Sequence, residues 1–136
     1  MNAVITPGID MSSQPGGTAA CAVSWEIDRA VVASPCLGCN DEVLDEMISK
    51  SDAVGIDAPF GWPAAFAVAV GAWKFTAWNN DLRKRLCFRK TDRVVYESVG
   101  RWPLSVSADR IALPAMRTFA LLFRYGVTDR SGDKKF

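Results

Sequence analysis

An amphipathic segment at residues 41–50, set between three β-type runs and a fourth, constrains the fold of this chain more than any other feature. Asn40 supplies a helix N-cap, Asp41 and Glu42 suit the positive end of a first turn, and Val43, Leu44, Met47 and Ile48 recur at helical spacing. The next segment, 53–57, reads Ala-Val-Gly-Ile-Asp, a short apolar strand. A strand reached through a crossover helix pairs in parallel with an earlier strand of the same sheet. Three earlier strands are available: residues 5–11, residues 18–25 with their small and β-branched side chains, and residues 30–34. Turn sequences at 12–17 (Ser-Ser-Gln-Pro-Gly-Gly) and 26–29 (Glu-Ile-Asp-Arg) join them as an antiparallel meander. The expectation is an α/β fold: a mixed sheet, antiparallel through strands 1-2-3, with a parallel strand 4 and further helices packed after it. At 136 residues, the chain has the size of one domain, spanning 1–136.

After Pro59 the pattern turns helical. Residues 64–73 form an apolar run expected to be a buried helix, and at about ten residues the run is too short to span a bilayer. Residues 82–89 carry a basic face. Ser105 or Ser107 is a candidate cap for a helix reaching Tyr125, with Ile111, Met116, Phe119, Leu122 and Phe123 toward the core and Pro114 kinking it or delaying its start. The polar tail 128–136 reads as a loop or turn.

The chain has no His, which removes His-based triads, the His general base and His-containing zinc sites. Acid–base or metal chemistry would therefore rest on Asp, Glu, Lys, Cys, Tyr or water. Of the four Cys, only Cys36 and Cys39 have metal or redox spacing, and one such pair alone is weak evidence for zinc. With no basic, apolar leader at Met1-Asn2-Ala3-Val4, free thiols in a reducing cytoplasm are the simpler account. The net charge of +1 conceals a division. Residues 1–73 hold two basic and nine acidic side chains, whereas 74–136 hold fourteen basic and six acidic ones. That asymmetry fits an acidic metal site facing a basic surface for a polyanion, or equally two halves of one domain attracting each other.

Asp10 and Asp57 each end an apolar strand, in Gly8-Ile9-Asp10 and Gly55-Ile56-Asp57. If strands 1 and 4 are neighbours, the two carboxylates lie together, and like charges so close are neutralised by a shared divalent cation, Mg²⁺ or Mn²⁺. Taken singly, each reads more readily as a turn former bonding backbone amides; the pair taken together favours a site. Ser12 and Ser13, with the flexible amides up to Thr18, offer hydroxyls for phosphate oxygens, though the segment is not a Walker loop and also serves as a plain hairpin turn. Arg89, Lys90 and Arg93 surround Asp92, a possible third carboxylate or a helix cap. Asp109 and Arg110 pose the same choice between phosphate contact and capping. Trp62, Trp73, Trp78 and Trp102 are candidates for stacking on bases or for the core.

These residues, in this order, resemble a known family. Gly8-Ile9-Asp10 with its Ser-Pro-Gly loop, the run 55–63 (Gly-Ile-Asp-Ala-Pro-Phe-Gly-Trp-Pro), Arg89-Lys90-Thr91-Asp92, Ser107-Ala108-Asp109-Arg110-Ile111 and Ala115-Met116-Arg117 are similar to the family catalogued as domain of unknown function 429, described as a predicted nuclease with a ribonuclease-H-like fold. The resemblance covers nearly the whole chain. It implies strand order 3-2-1-4-5, with Asp10 and Asp57 in the site. Asp92 and Asp109 match family motifs of less defined role. Two departures bear on the fold. Pro7 falls in a strand expected to be central, where it lacks a donor. The family also continues into a further strand and helix, which implies a C-terminally truncated member without the fifth strand, an exposed sheet edge and oligomers formed through it.

The resulting expectation is a Mg²⁺- or Mn²⁺-dependent nuclease acting on nucleic acid. Asp10 and Asp57 would be the metal ligands, Asp92 a weaker catalytic carboxylate, and Ser12, Ser13, Arg89, Lys90, Arg93, Asp109 and Arg110 the substrate contacts. The alternatives are a nucleotide-binding phosphoryl-transfer domain of the actin and sugar-kinase type, and a non-catalytic truncated domain.

Overall fold

The computed structural model describes residues 3–73 and 78–128, so the tail from 129 onward lies outside the described residues. Strand β1 (Val4–Asp10) runs into a short 3₁₀ turn (Pro15–Gly17) and returns as β2 (Ala19–Trp25), followed by β3 (Ala30–Val32) and β4 (Cys36–Leu37). Helix α1 (Asp41–Ser49) leads to β5 (Gly55–Asp57), and helices α2 (Ala64–Ala72), α3 (Asn80–Cys87), α4 (Lys90–Val99) and α5 (Ala112–Arg124) complete the order. The sheet runs β3-β2-β1-β5, with β4 also paired to β2. β1, β2 and β3 are antiparallel, and β5 is parallel to β1, as the crossover through α1 requires. The mixed five-stranded sheet with five helices agrees with a ribonuclease-H-like arrangement. Its additional strand is the two-residue β4, which pairs with the start of β2 at Ala19 and Ala20.

Alternation along β1 decides which face is buried. Pro7 and Ile9 are buried and Ile5 half-buried, whereas Val4, Gly8 and Asp10 are exposed. The core lies against the first face: Ile9, Met11 and Ala20 from the sheet region, Cys39, Leu44 of α1 and Leu121 of α5, with Met47, Ile48, Val54 and Ile56 packed around them. Asn40 caps α1 as expected, its Oδ1 accepting the Val43 N–H at 2.9 Å.

Pro7 does sit in a central strand, and its orientation explains how. The Ile5 N–H donates to Asp52 Oδ2 and the Ile5 carbonyl accepts from the Asp52 N–H, so odd residues of β1 turn their backbone toward β5. The missing donor of Pro7 therefore faces away from β2 and precedes Gly8, where pairing with β5 begins. The long ladder to β2 is untouched.

Two expectations fail here. Residues 64–72 are helical, but no residue of α2 is buried, so this apolar helix is not the core element its composition implies. The last helix starts at Ala112, delayed by Pro114 in its first turn, and its buried positions are Ala115, Thr118 and Leu121. Met116, Phe119 and Phe123 are exposed, because the apolar side chains span more than one face and the small residues Ala115 and Thr118 permit the closer approach.

Leu44 is fully buried at the centre of the cluster. Leu44→Ala is expected to destabilise the chain by about 2–5 kcal/mol, measured as a lowered denaturant midpoint with an unchanged m-value.

Candidate functional site

The parallel register pairs Gly8 with Gly55, Ile9 with Ile56 and Asp10 with Asp57. Paired residues point to the same face of a sheet, on strands about 4.8 Å apart, so the two carboxylates stand side by side on the face away from the core. Both residues are exposed. Among the described residues neither carboxylate accepts a hydrogen bond or forms an ion pair, so neither serves as a turn former. Asp52, Asp92 and Asp109, by contrast, each accept a backbone N–H.

Asp10 and Asp57 open onto a cleft of about 690 Å³. Its floor is Met11 and the chain after β5, Ala58-Pro59-Phe60. Arg89 and Thr91 at the start of α4 supply another part of its wall, and Pro103, Leu104, Ile111 and Pro114 complete the lining. On the sheet face below the carboxylates, Gly8, Cys21 and Gly55 line a shallow depression of about 540 Å³.

Arg89 is held in that wall by Asp92. The Asp92 carboxylate accepts the Arg89 backbone N–H at 2.7 Å, Nε at 3.0 Å and Nη2 at 2.8 Å. The backbone bond is the N3-to-N-cap half of a capping box at the start of α4. Asp92 is 2% exposed. Burial acts to raise its pKa, but the hydrogen bonds and charge of Arg89 outweigh it and hold the carboxyl below its usual range. Asp92 thus supports Arg89 and the helix start, with its oxygens committed there.

The other expected substrate contacts are dispersed. Ser12, Ser13, Lys90, Arg93, Asp109 and Arg110 do not line the cleft. Asp109 Oδ2 accepts the Ser105 N–H at 2.6 Å, closing the turn before α5. The hydroxyls of Ser105 and Ser107 donate to the carbonyls of Cys87 and Leu86, satisfying the C-terminal end of α3. Trp102 stacks on Phe88 at 4.1 Å and Tyr96 at 4.2 Å, and Trp62 packs on Phe119 at 5.4 Å. Trp73 and Trp78 are exposed. Sequence reasoning missed Met11, Phe60, Leu104 and Ile111 as cleft residues; the Ala58-Pro59-Phe60 continuation of β5 was the available signal.

The two strand-end carboxylates fit a hard divalent cation: oxygen donors, unpartnered, at neighbouring positions. Among the described residues no group of three or more His, Cys, Asp or Glu is placed to hold a metal, so water and substrate oxygens would complete the shell. The thiols offer no second centre. All four Cys are free, and Cys39 Sγ donates to the Cys36 carbonyl at 3.4 Å inside the core. Burial and the neighbouring Cys36 push the Cys39 pKa up, away from a reactive thiolate.

The sequence model of a family described as "Protein of unknown function (DUF429)" matches residues 8–130, nearly the whole chain. No curated protein sequence and no solved structure matches it.

Two outcomes test the electrostatics. In metal-free buffer, Asp57→Asn is expected to raise the stability by roughly 0.2–1 kcal/mol by removing like-charge repulsion across the strands, read as a higher thermal midpoint. Asp92→Asn is expected to cost about 1–3 kcal/mol at neutral pH. Because the native pKa of Asp92 is depressed, its contribution is complete above the unfolded value of about 4 and fades as the pH falls through the native value. Wild type and Asp92→Asn should therefore converge in stability in acid.

Proposed function

Because the chain belongs to the DUF429 family, described as proteins of unknown function, its activity has to be read from the site, and we propose that it is a Mg²⁺- or Mn²⁺-dependent phosphodiesterase acting on nucleic acid. The observation that carries this reading is the register pairing of Asp10 with Asp57, with both carboxylates unpartnered among the described residues and lining a cleft that Arg89 also lines.

Asp10 and Asp57 would hold the cation through their carboxylate oxygens. When bound, such an ion polarises a phosphoryl oxygen and lowers the pKa of a coordinated water. Arg89 lines the same cleft with its guanidinium orientation set by Asp92, and its Nη1, without a partner among the described residues, would donate to a phosphate oxygen. The N-terminal end of α4, with the Thr91 hydroxyl, adds partial positive charge to the same wall. With no His in the chain, no imidazole serves as general base, and a proton from the attacking water would pass to a carboxylate or to solvent. The exposed Lys90 and Arg93 beyond the wall continue the basic surface and suit the flanking backbone of a polyanion. The four free thiols fit a reducing compartment, and we place the protein in the cytoplasm. Among the described residues no helix is long and apolar enough to cross a membrane.

Purified protein incubated with end-labelled RNA and DNA should cleave at least one of them in Mn²⁺ and neither in EDTA. Asp10→Asn and Asp57→Asn should each lower the rate by about 100-fold or more, and Arg89→Ala should do so mainly through KM. Equal cleavage by wild type and Asp10→Asn would sink the assignment.

A further inference from the structure

One guanidinium ties the loop that follows Asp10 to the body of the fold. Arg117 projects from α5 across 99 and 105 residues of sequence to the two ends of the segment 12–18. Its Nη1 donates to the Ser12 carbonyl at 3.0 Å and to Thr18 Oγ1 at 2.7 Å. Its Nη2 reaches the Cys39 carbonyl at 3.4 Å, and Nε and Nη2 both donate to Asp41 Oδ1, at 3.1 and 2.6 Å. The side chain is only 14% exposed.

The loop is closed from within by the same atoms. Thr18 is buried, and its hydroxyl accepts the Ser12 N–H at 3.3 Å and donates to the Gln14 carbonyl at 3.1 Å. Gly17 lies so close that a Cβ there would stand 2.7 Å from Ser12 Oγ. Both backbone polar groups of Ser12 are thus engaged, two residues after Asp10, with Met11 buried between them. These bonds hold the chain two residues beyond Asp10, where it leaves the sheet.

We propose that Arg117 is a positioning residue for the carboxylate site: by gripping Ser12 and Thr18 together, it fixes the chain after Asp10 so that its carboxylate stays beside that of Asp57. This inference rests on the metal reading above. The network separates the role from mere packing. Asp41 shares the guanidinium but lies on α1, so the Arg117–Asp41 pair joins two helices while the Nη1 bonds order the loop.

The test combines calorimetric titration with Mn²⁺ and amide hydrogen exchange on the full chain, using wild type, Arg117→Lys, Thr18→Val and Asp41→Asn. Arg117→Lys and Thr18→Val should speed exchange across 12–18 and weaken Mn²⁺ binding by about tenfold or more, whereas Asp41→Asn should lower the thermal midpoint and leave Mn²⁺ affinity within about twofold of wild type. Thr18→Val carries the test alone if Arg117→Lys does not fold. Wild-type Mn²⁺ affinity in both loop variants, or unchanged exchange at 12–18, would overturn the positioning role while leaving the metal reading intact. Absence of Mn²⁺ binding by the wild type would instead overturn the metal reading and this role with it.

Discussion

The three-residue parallel pairing between β1 and β5 is the constraint on which the site depends. Side chains alternate faces along a strand, so a slip of one residue would send Asp57 into the core and Ile56 out to solvent. The apolar alternation that buries Ile9 and half-buries Ile56 therefore also sets Asp10 beside Asp57. Burial of two isoleucines is worth a few kcal/mol, whereas two like charges face to face cost only a fraction of that, so packing prevails and the repulsion is tolerated. A cation between the carboxylates would relieve it.

The carboxylates divide into two populations with different physical roles. Asp92 and Asp109 close local turns and caps through backbone N–H groups, and Asp41 and Asp45 bind Arg117, Arg124 and Tyr125 to join α1 with α5. Asp10 and Asp57 do none of this; Asp28, Glu42, Asp81 and Glu97 are likewise unpartnered among the described residues, but Asp10 and Asp57 are in addition paired in register on adjacent strands. The contrast bears more on function than the count of acidic residues in the first half, because a structural carboxylate has its lone pairs occupied and a ligand needs them free.

Much of the sheet was legible from local rules. Helix α1 announced itself through Asn40 and its apolar spacing, and the crossover then required β5 to be parallel to an earlier strand; that this strand is β1, with Asp10 beside Asp57, was implied by the family resemblance and not by local rules. The second half was less legible. Its helices take their faces from tertiary contact: α5 buries Ala115 and Thr118 where larger neighbours suggested another stripe, and α2 is apolar all round, so periodicity has nothing to report. The site residues follow the same division. The strand-end carboxylates were readable, and Arg89 with them. As one of three candidate cations, however, Arg89 was not distinguishable from Lys90 and Arg93, because its place in the cleft lining follows from its N-cap position and its bonds to Asp92.

Pro7 was expected to threaten the central strand, and its placement has the opposite effect. With no donor on the β5 side, β1 offers nothing to extend the parallel ladder toward its own start, and Asp52 takes up Ile5 there through side chain and backbone. A sliding β5 would have to trade a made hydrogen bond for a missing one. The imino acid thus opposes a slip of β5 toward the start of β1, the direction that would set a β5 carbonyl against its missing N–H.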